Sequence, residues 1–205
     1  MEDQYFTIDK AAHSEIKVKG SRFIGHVALT ETRDEAEAFI TAINKQHHSA
    51  THNCTAYRVG LGDASAFRYS DDGEPSGTAG KPIMDMIDGR DLTQVTCVVT
   101  RYYGGTKLGC GGLVRAYGQC AAEALDSAGI KTRYIMQSIQ ISYPYDLTGV
   151  VMHVVERFEG KILASDYSES ARQTVGLKRS KVDPFAAELI EATAGKAGVT
   201  AEEPG

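Results

Sequence analysis

Arg101, Lys107 and Arg115 share the stretch VVTRYYGGTKLGCGGLVRAYG (98–118) with six glycines and no acid. The chemistry such a stretch offers is anion binding. Glycines let backbone N–H groups converge on an oxyanion, and a helix N-terminus adds the positive end of a dipole. Two known phosphate grips fail on specific residues. Gly104 to Gly109 supplies GxxxxG, but Cys110-Gly111 follows where Walker A needs Lys-Ser/Thr, and Lys107 precedes the second glycine. Gly109 and Gly111 begin a dinucleotide fingerprint, but Val114 stands at the third small position, and Asp126 only loosely meets the acid expected about 20 residues on. What survives is general: a strand enters a glycine loop, Gly104, Gly105 and Gly109, which opens a helix at Gly111-Gly112. Arg115 in the first turns of that helix is unfavourable by roughly 0.3–1 kcal/mol unless an anion offsets it.

A second unusual loop, DDGEPSGTAGKP (71–82), carries Asp71, Asp72 and Glu74 with Thr78. These side chains have the chemistry of a divalent-cation or acid/base cluster, but the spacing is no EF-hand, because the acids stop after four residues. They equally have the charge to pair with Arg101, Lys107 and Arg115 inside the protein. An internal partner and an external anion stay open, and both hold if the acids orient the bases that grip a ligand. His52 and Cys54, with His47 and His48 upstream, lack the second ligand pair a zinc site needs. Cys54 has no context that would activate a nucleophilic thiol. Tyr57, Phe67, Tyr69, Tyr102 and Tyr103 interleave with Arg58, Arg68 and Arg101, a pattern that can track a nucleic-acid strand, though alternation divides them between two faces.

The elements that must position these loops follow from periodicity. Residues 15–29 read as two strand halves around Lys19-Gly20-Ser21. Thr32 and Glu35 form a capping box for a helix over 33–46. Short strands are expected at 52–60 and 65–70, and Pro82 is expected to open a short helix ending at Gly89. Residues 92–103 are apolar on both faces and read as a central strand. Leu113 to Ala128 repeats at helical spacing, with Gly129 closing the helix. After residue 130 a strand over 135–144, a helix over 147–158, strands at 161–167 and 171–178, a helix from Pro184 to Ala194-Gly195 and a strand near Val199 spell a ferredoxin-like domain. The closing AEEPG is expected to fray.

Bulk properties agree with a soluble α+β protein of 205 residues and net charge −5. No apolar run approaches the ~20 residues of a membrane span. The acidic, mixed N-terminus and four cysteines without a CxxC pair fit a reduced, cytoplasmic protein. The domains expected are 1–132 and 133–205.

Four blocks, KGSRFIGHV, ATHNCTAYR, SDDGEPSGTAGKP and VVTRYYGGTKLGCGGLVRAYG, occur in that order, and together they resemble the IMPACT/YigZ family. Residues 135–195 resemble the C-terminal domain of its bacterial members. The resemblance implies an N-terminal sandwich like the second domain of a small-subunit ribosomal protein and a C-terminal ferredoxin-like domain similar to domains of elongation factor G. It implies a link to translation, since eukaryotic relatives regulate initiation; those relatives carry a further N-terminal domain, so their partners do not carry over. The reading that results is a translation-regulating, nucleic-acid- or anion-binding protein contacting RNA, the ribosome, a translation factor or another phosphate-bearing ligand. Its expected binding residues are Asp72, Glu74, Thr78, Arg101, Gly104, Gly105, Lys107, Gly109, Gly111, Gly112 and Arg115, with no catalytic residue, metal or cofactor assigned. An enzyme acting on a phosphorylated substrate, with Asp72 and Glu74 as acid/base groups, and a pure protein-interaction module are the alternatives.

Overall fold

Strand and helix periodicities alternate along the whole chain, and the computed structural model, which describes residues 3–168 and 170–201, shows what they build. Two units each close around their own core. One spans Phe6–Arg133; the other takes Asp3–Tyr5 together with the residues from Tyr134 on. Asp3 joins the second unit through its carbonyl, which accepts from the Ile135 N–H, and its carboxylate, which accepts from the Ser180 N–H at 2.6 Å. No helix among the described residues is long and apolar enough to cross a membrane.

From β1 (Gln4–Ile8) to β7 (Ile130–Tyr134), the two strands in which the boundaries of the first unit fall, the chain runs β2 (Ala12–Val18), β3 (Ser21–Leu29), α1 (Arg33–Gln46), β4 (His52–Val59), β5 (Ala66–Ser70), α2 (Gly80–Asp88), β6 (Val95–Tyr102) and α3 (Cys110–Ala128). Five strands form one sheet in the order β2-β3-β6-β4-β5, every neighbouring pair antiparallel. β6 lies at the centre, as its apolar faces require. Alternation sends Cys54 and Ala56 of β4 and Cys97 and Val99 of β6 into a core with Ile83 and Ile87 of α2 and Leu113, Tyr117 and Ala121 of α3. The opposite face puts Tyr57 and Val59 against Ala36 and Ile40 of α1. β1 and β7, which form a separate two-stranded sheet, were not expected from the sequence; at five residues each, with Thr7 and Ile8 buried side by side in β1 and β7 largely exposed, neither carries an alternation strong enough to read.

Two helix starts differ from expectation. α2 begins at Gly80, so Pro82 is its third residue, because Asp71 caps the earlier N–H groups. α3 begins at Cys110 rather than Leu113, so Gly111 and Gly112 are helical. Glycine costs about 1 kcal/mol each in a helix, but a long buried face downstream propagates the helix back to Gly109, whose φ of 71° ends it. The Glu35 N–H donates to Thr32 Oγ1 as the capping box expected, but the Glu35 carboxylate accepts from the N–H of Glu31, one residue before the cap.

Where α1 ends, His47 Nε2 meets His26 Nε2 at 3.0 Å, and His47 Nδ1 meets the Tyr102 hydroxyl at 3.0 Å. Burial, with the proximity of His47 and His13, pushes the His26 pKa from 6.5 down to about 4. At neutral pH the folded and unfolded rings are both uncharged. Below about 6.5 the unfolded ring takes up a proton that the folded ring refuses until about pH 4, so the stability held above 6.5 is lost through that window. After discounting for a half-buried ring, the expected loss is on the order of 1–2 kcal/mol. Chemical denaturation at pH 7.5 and pH 4.5 should show it, and His26→Gln should flatten the dependence. An unchanged pH slope in that variant would assign the acid sensitivity elsewhere.

The second unit runs β8 (Met136–Tyr143), α4 (Thr148–Arg157), β9 (Lys161–Tyr167), β10 (Ala171–Lys178), α5 (Val182–Ala192) and β11 (Gly198–Ala201). Its sheet order, β11-β8-β10-β9, is antiparallel throughout and is that of a ferredoxin-like βαββαβ domain. Ile139 and Ile141 of β8, Val175 and Leu177 of β10, Val151 of α4 and Phe185 of α5 fill the core between sheet and helices. Of the closing AEEPG expected to fray, Ala201 instead ends β11, and residues 202–205 lie outside the described residues.

Candidate functional site

The 71–82 loop is built around Asp71. Its Oδ2 accepts from the Gly77 N–H, and its Oδ1 accepts from the N–H groups of Ala79 and Gly80, at 2.8–3.0 Å. Burial pulls the Asp71 pKa up, but these three backbone donors outweigh it and hold the carboxyl below its usual value. Asp71 is thus the N-terminal cap of α2. Asp72, in a left-handed conformation with φ of 44°, accepts from the Asn53 N–H through Oδ2 at 2.6 Å. Its carbonyl accepts from His52 Nδ1 at 2.7 Å. Thr78 is buried and donates to the Pro75 carbonyl. Asp71 is thus spent on shaping its own loop and Asp72 on fastening it to β4.

Glu74 turns inward. It is 8% exposed, and its Oε1 accepts from Arg101 Nη1 at 2.5 Å and from the Tyr117 hydroxyl at 2.8 Å. Arg101 is 5% exposed because it follows Cys97 and Val99 in the alternation of β6 and so points at α2 and α3. Strand register sets it directly opposite Phe23 on one side and His52 on the other. Its guanidinium lies 5.5 Å from the Phe23 ring centroid and 5.4 Å from that of Tyr103. Nη2 reaches Ser21 Oγ at 3.4 Å, while the buried Nε–H has no acceptor. His52 Nε2 stands 3.9 Å from Glu74 Oε2.

Beyond Arg101 the backbone is pinned. The Tyr103 N–H donates to Thr51 Oγ1 and the Gly104 N–H to Ser21 Oγ. Gly104 packs so tightly on the β2–β3 turn that a Cβ there would sit 1.9 Å from the Gly20 carbonyl carbon. Gly105 and Gly109, with φ of 85° and 71°, face open space, and Lys107 between them is exposed. Gly109 caps α3 without any side-chain hydrogen bond. Arg115 is exposed too, and its Nη1 lies 3.7 Å from where a Gly111 Cβ would be, so the guanidinium folds back over the first turn of α3. Among the described residues neither Lys107 nor Arg115 has an ion-pair partner.

The comparisons with known proteins fall on these same loops. Residues 19–125 match the family model described as the Impact N-terminal domain, and residues 141–196 match a domain of unknown function, DUF1949. The IMPACT family member YvyE of Bacillus subtilis is 38% identical over 195 residues, 95% of this chain and 89% of that protein. The chain belongs to the IMPACT family. A further member, YigZ of Escherichia coli, is 38% identical over 190 residues, 91% of this chain and 92% of its own length. The crystal structure of a protein described only as hypothetical matches 100% of both chains at a TM-score of 0.71 and 32% identity.

Within this IMPACT fold the expected site residues divide. Glu74 and Arg101 meet, with Tyr117, His52 and Ser21 as neighbours that the sequence reading did not assign to the site. Tyr117 carried one usable signal: a tyrosine on the apolar face of a helix needs a partner for its hydroxyl. Asp72 is tied to Asn53 and His52 of β4, and Thr78 is tied into its own loop. The Gly104 N–H, expected to face a ligand, is held by Ser21. Gly105, Lys107, Gly109, Gly111 and Arg115 form the exposed edge, while Gly112 is half-buried against Leu108.

Proposed function

We propose that this IMPACT family chain is a translation-linked binding protein that grips the phosphates of RNA, free or on a ribosomal surface, with Lys107, Arg115 and the opening turn of α3. One observation carries the reading: two exposed cations without ion-pair partners among the described residues stand at a helix N-terminus that no side chain caps. A guanidinium folded over that terminus is electrostatically unfavourable unless an anion joins it. The acids that could have served as that anion point elsewhere, Asp71 to α2 and Glu74 to Arg101. Glu74, the acid an enzymatic reading would use, is buried and doubly bound, which favours binding over catalysis. The link to translation rests on the resemblance of the four sequence blocks.

Replacing Lys107 and Arg115 together by alanine should weaken RNA binding at every sequence tested. The slope of log K against log salt should fall by about one to two, as expected for two lost phosphate contacts. Fluorescence anisotropy over a salt series measures both quantities. Unchanged affinity and slope would remove the proposal.

A further inference from the structure

Tyr103 is the one large aromatic of the basic stretch whose ring is mostly neither core nor hydrogen-bonded cover. It is 47% exposed, whereas Tyr117 is fully buried and the half-buried Tyr102 bonds to His47. Exposure here comes with rigidity. The Tyr103 N–H is held by Thr51, the next residue is locked against Gly20 and Ser21, and the ring lies against the guanidinium of Arg101. That guanidinium is itself fixed by Glu74 and keeps one buried N–H, on Nε, without an acceptor. An aromatic ring mounted on a buried cation and leading into a basic glycine loop is the arrangement that stacks a nucleobase. Lys107, four residues along, is within about 14 Å of it even with the chain fully extended.

We infer that the RNA taken by this loop is single-stranded, with one base stacked on the outer face of Tyr103 and the flanking phosphates held by Lys107 and Arg115. The inference rests on the phosphate-gripping role of that loop. A duplex does not satisfy the site, because its bases are buried in their own stack and its A-form grooves present no base face to a ring. Stacking tolerates any base, so the site selects strandedness more than sequence.

The test uses the full chain with a short labelled single-stranded RNA and the same RNA annealed to its complement. The single strand should bind more tightly than the duplex. Tyr103→Ala should lower single-strand affinity roughly 5- to 150-fold, the range for one stacked base, and leave the salt slope and duplex binding unchanged. Tyr103→Leu keeps an apolar cover over Arg101 without a stacking face and should be as weak as Tyr103→Ala, while Tyr103→Phe should bind like the parent. Equal affinity for the two RNA forms, or wild-type affinity in Tyr103→Leu, overturns the inference. If that happens while Lys107→Ala with Arg115→Ala still weakens binding, phosphate gripping stands without base stacking. If the cation variant also binds normally, both readings fall.

Discussion

Replacing Glu74 by alanine is expected to destabilise the first unit by about 3–5 kcal/mol, the cost of breaking a buried ion pair from one side. The carboxylate is shared by Arg101 Nη1 and the Tyr117 hydroxyl, and removing it strands both. Arg101 lies between β3 and β4 in the middle of the sheet and cannot swing to water without leaving Phe23 and Ser21. Its Nε already lacks an acceptor, so the variant would hold a buried cation with one marginal bond to Ser21. Glu74→Gln keeps the shape and one acceptor but leaves the charge unneutralised, and should fall between. Pairing Glu74→Leu with Arg101→Met should recover most of the loss, since replacing both ions by apolar groups is often neutral. Because the two units have separate cores, denaturation is best read by amide exchange in β6 and α3. A loss below about 1 kcal/mol would mean that the pair behaves like an exposed one.

The second large effect is expected at Gly104. A methyl group there would lie 1.9 Å from the carbonyl carbon and 2.1 Å from the oxygen of Gly20, and 2.3 Å from the nitrogen of Ser21. All three are backbone atoms, so no rotamer change relieves the contact. The β2–β3 turn would have to move, taking with it the Ser21 hydroxyl that holds the Gly104 N–H. Gly104→Ala should cost about 3 kcal/mol or more, at or beyond the upper end for overpacking, and should release the loop that carries Lys107. Gly105→Ala makes the contrast. Its site is open, but its φ of 85° is disfavoured for alanine by about 1–2 kcal/mol. Thermal melts of the two variants compare them directly, and equal destabilisation would show that the turn yields easily.

These two residues also mark how far the sequence could be read. Gly104 and Gly105 look alike in VVTRYYGGTKLG, and the sequence lets either present its N–H group to a ligand. One is a packing contact with a turn more than eighty residues away, as the Ser21 bond measures, and the other a free bend. Glu74 and Asp72 are both acids and Arg101, Lys107 and Arg115 all cations, and charge alone allows any pairing among them. Only the register of β6 between β3 and β4, with α3 laid across that face, brings Arg101, Glu74 and Tyr117 together.

What the sequence determined by itself was local. The Thr32 cap and the spacing of Ala36, Ile40 and Ile43 fix α1 over Arg33–Gln46. The runs of the C-terminal half place β9 and β10 at the residues expected. The two unmatched templates already set aside a Walker A loop and a dinucleotide fingerprint. These features depend on neighbours within a few residues, and a periodic pattern records them. The tertiary structure alone decided which charges are neutralised within the fold and which stand on its edge. That is a question of distance between groups brought together by strand register and helix packing. Two cations of the same stretch, Arg101 and Lys107, therefore have opposite fates, the first inside with Glu74 and the second outside beside the bare start of α3.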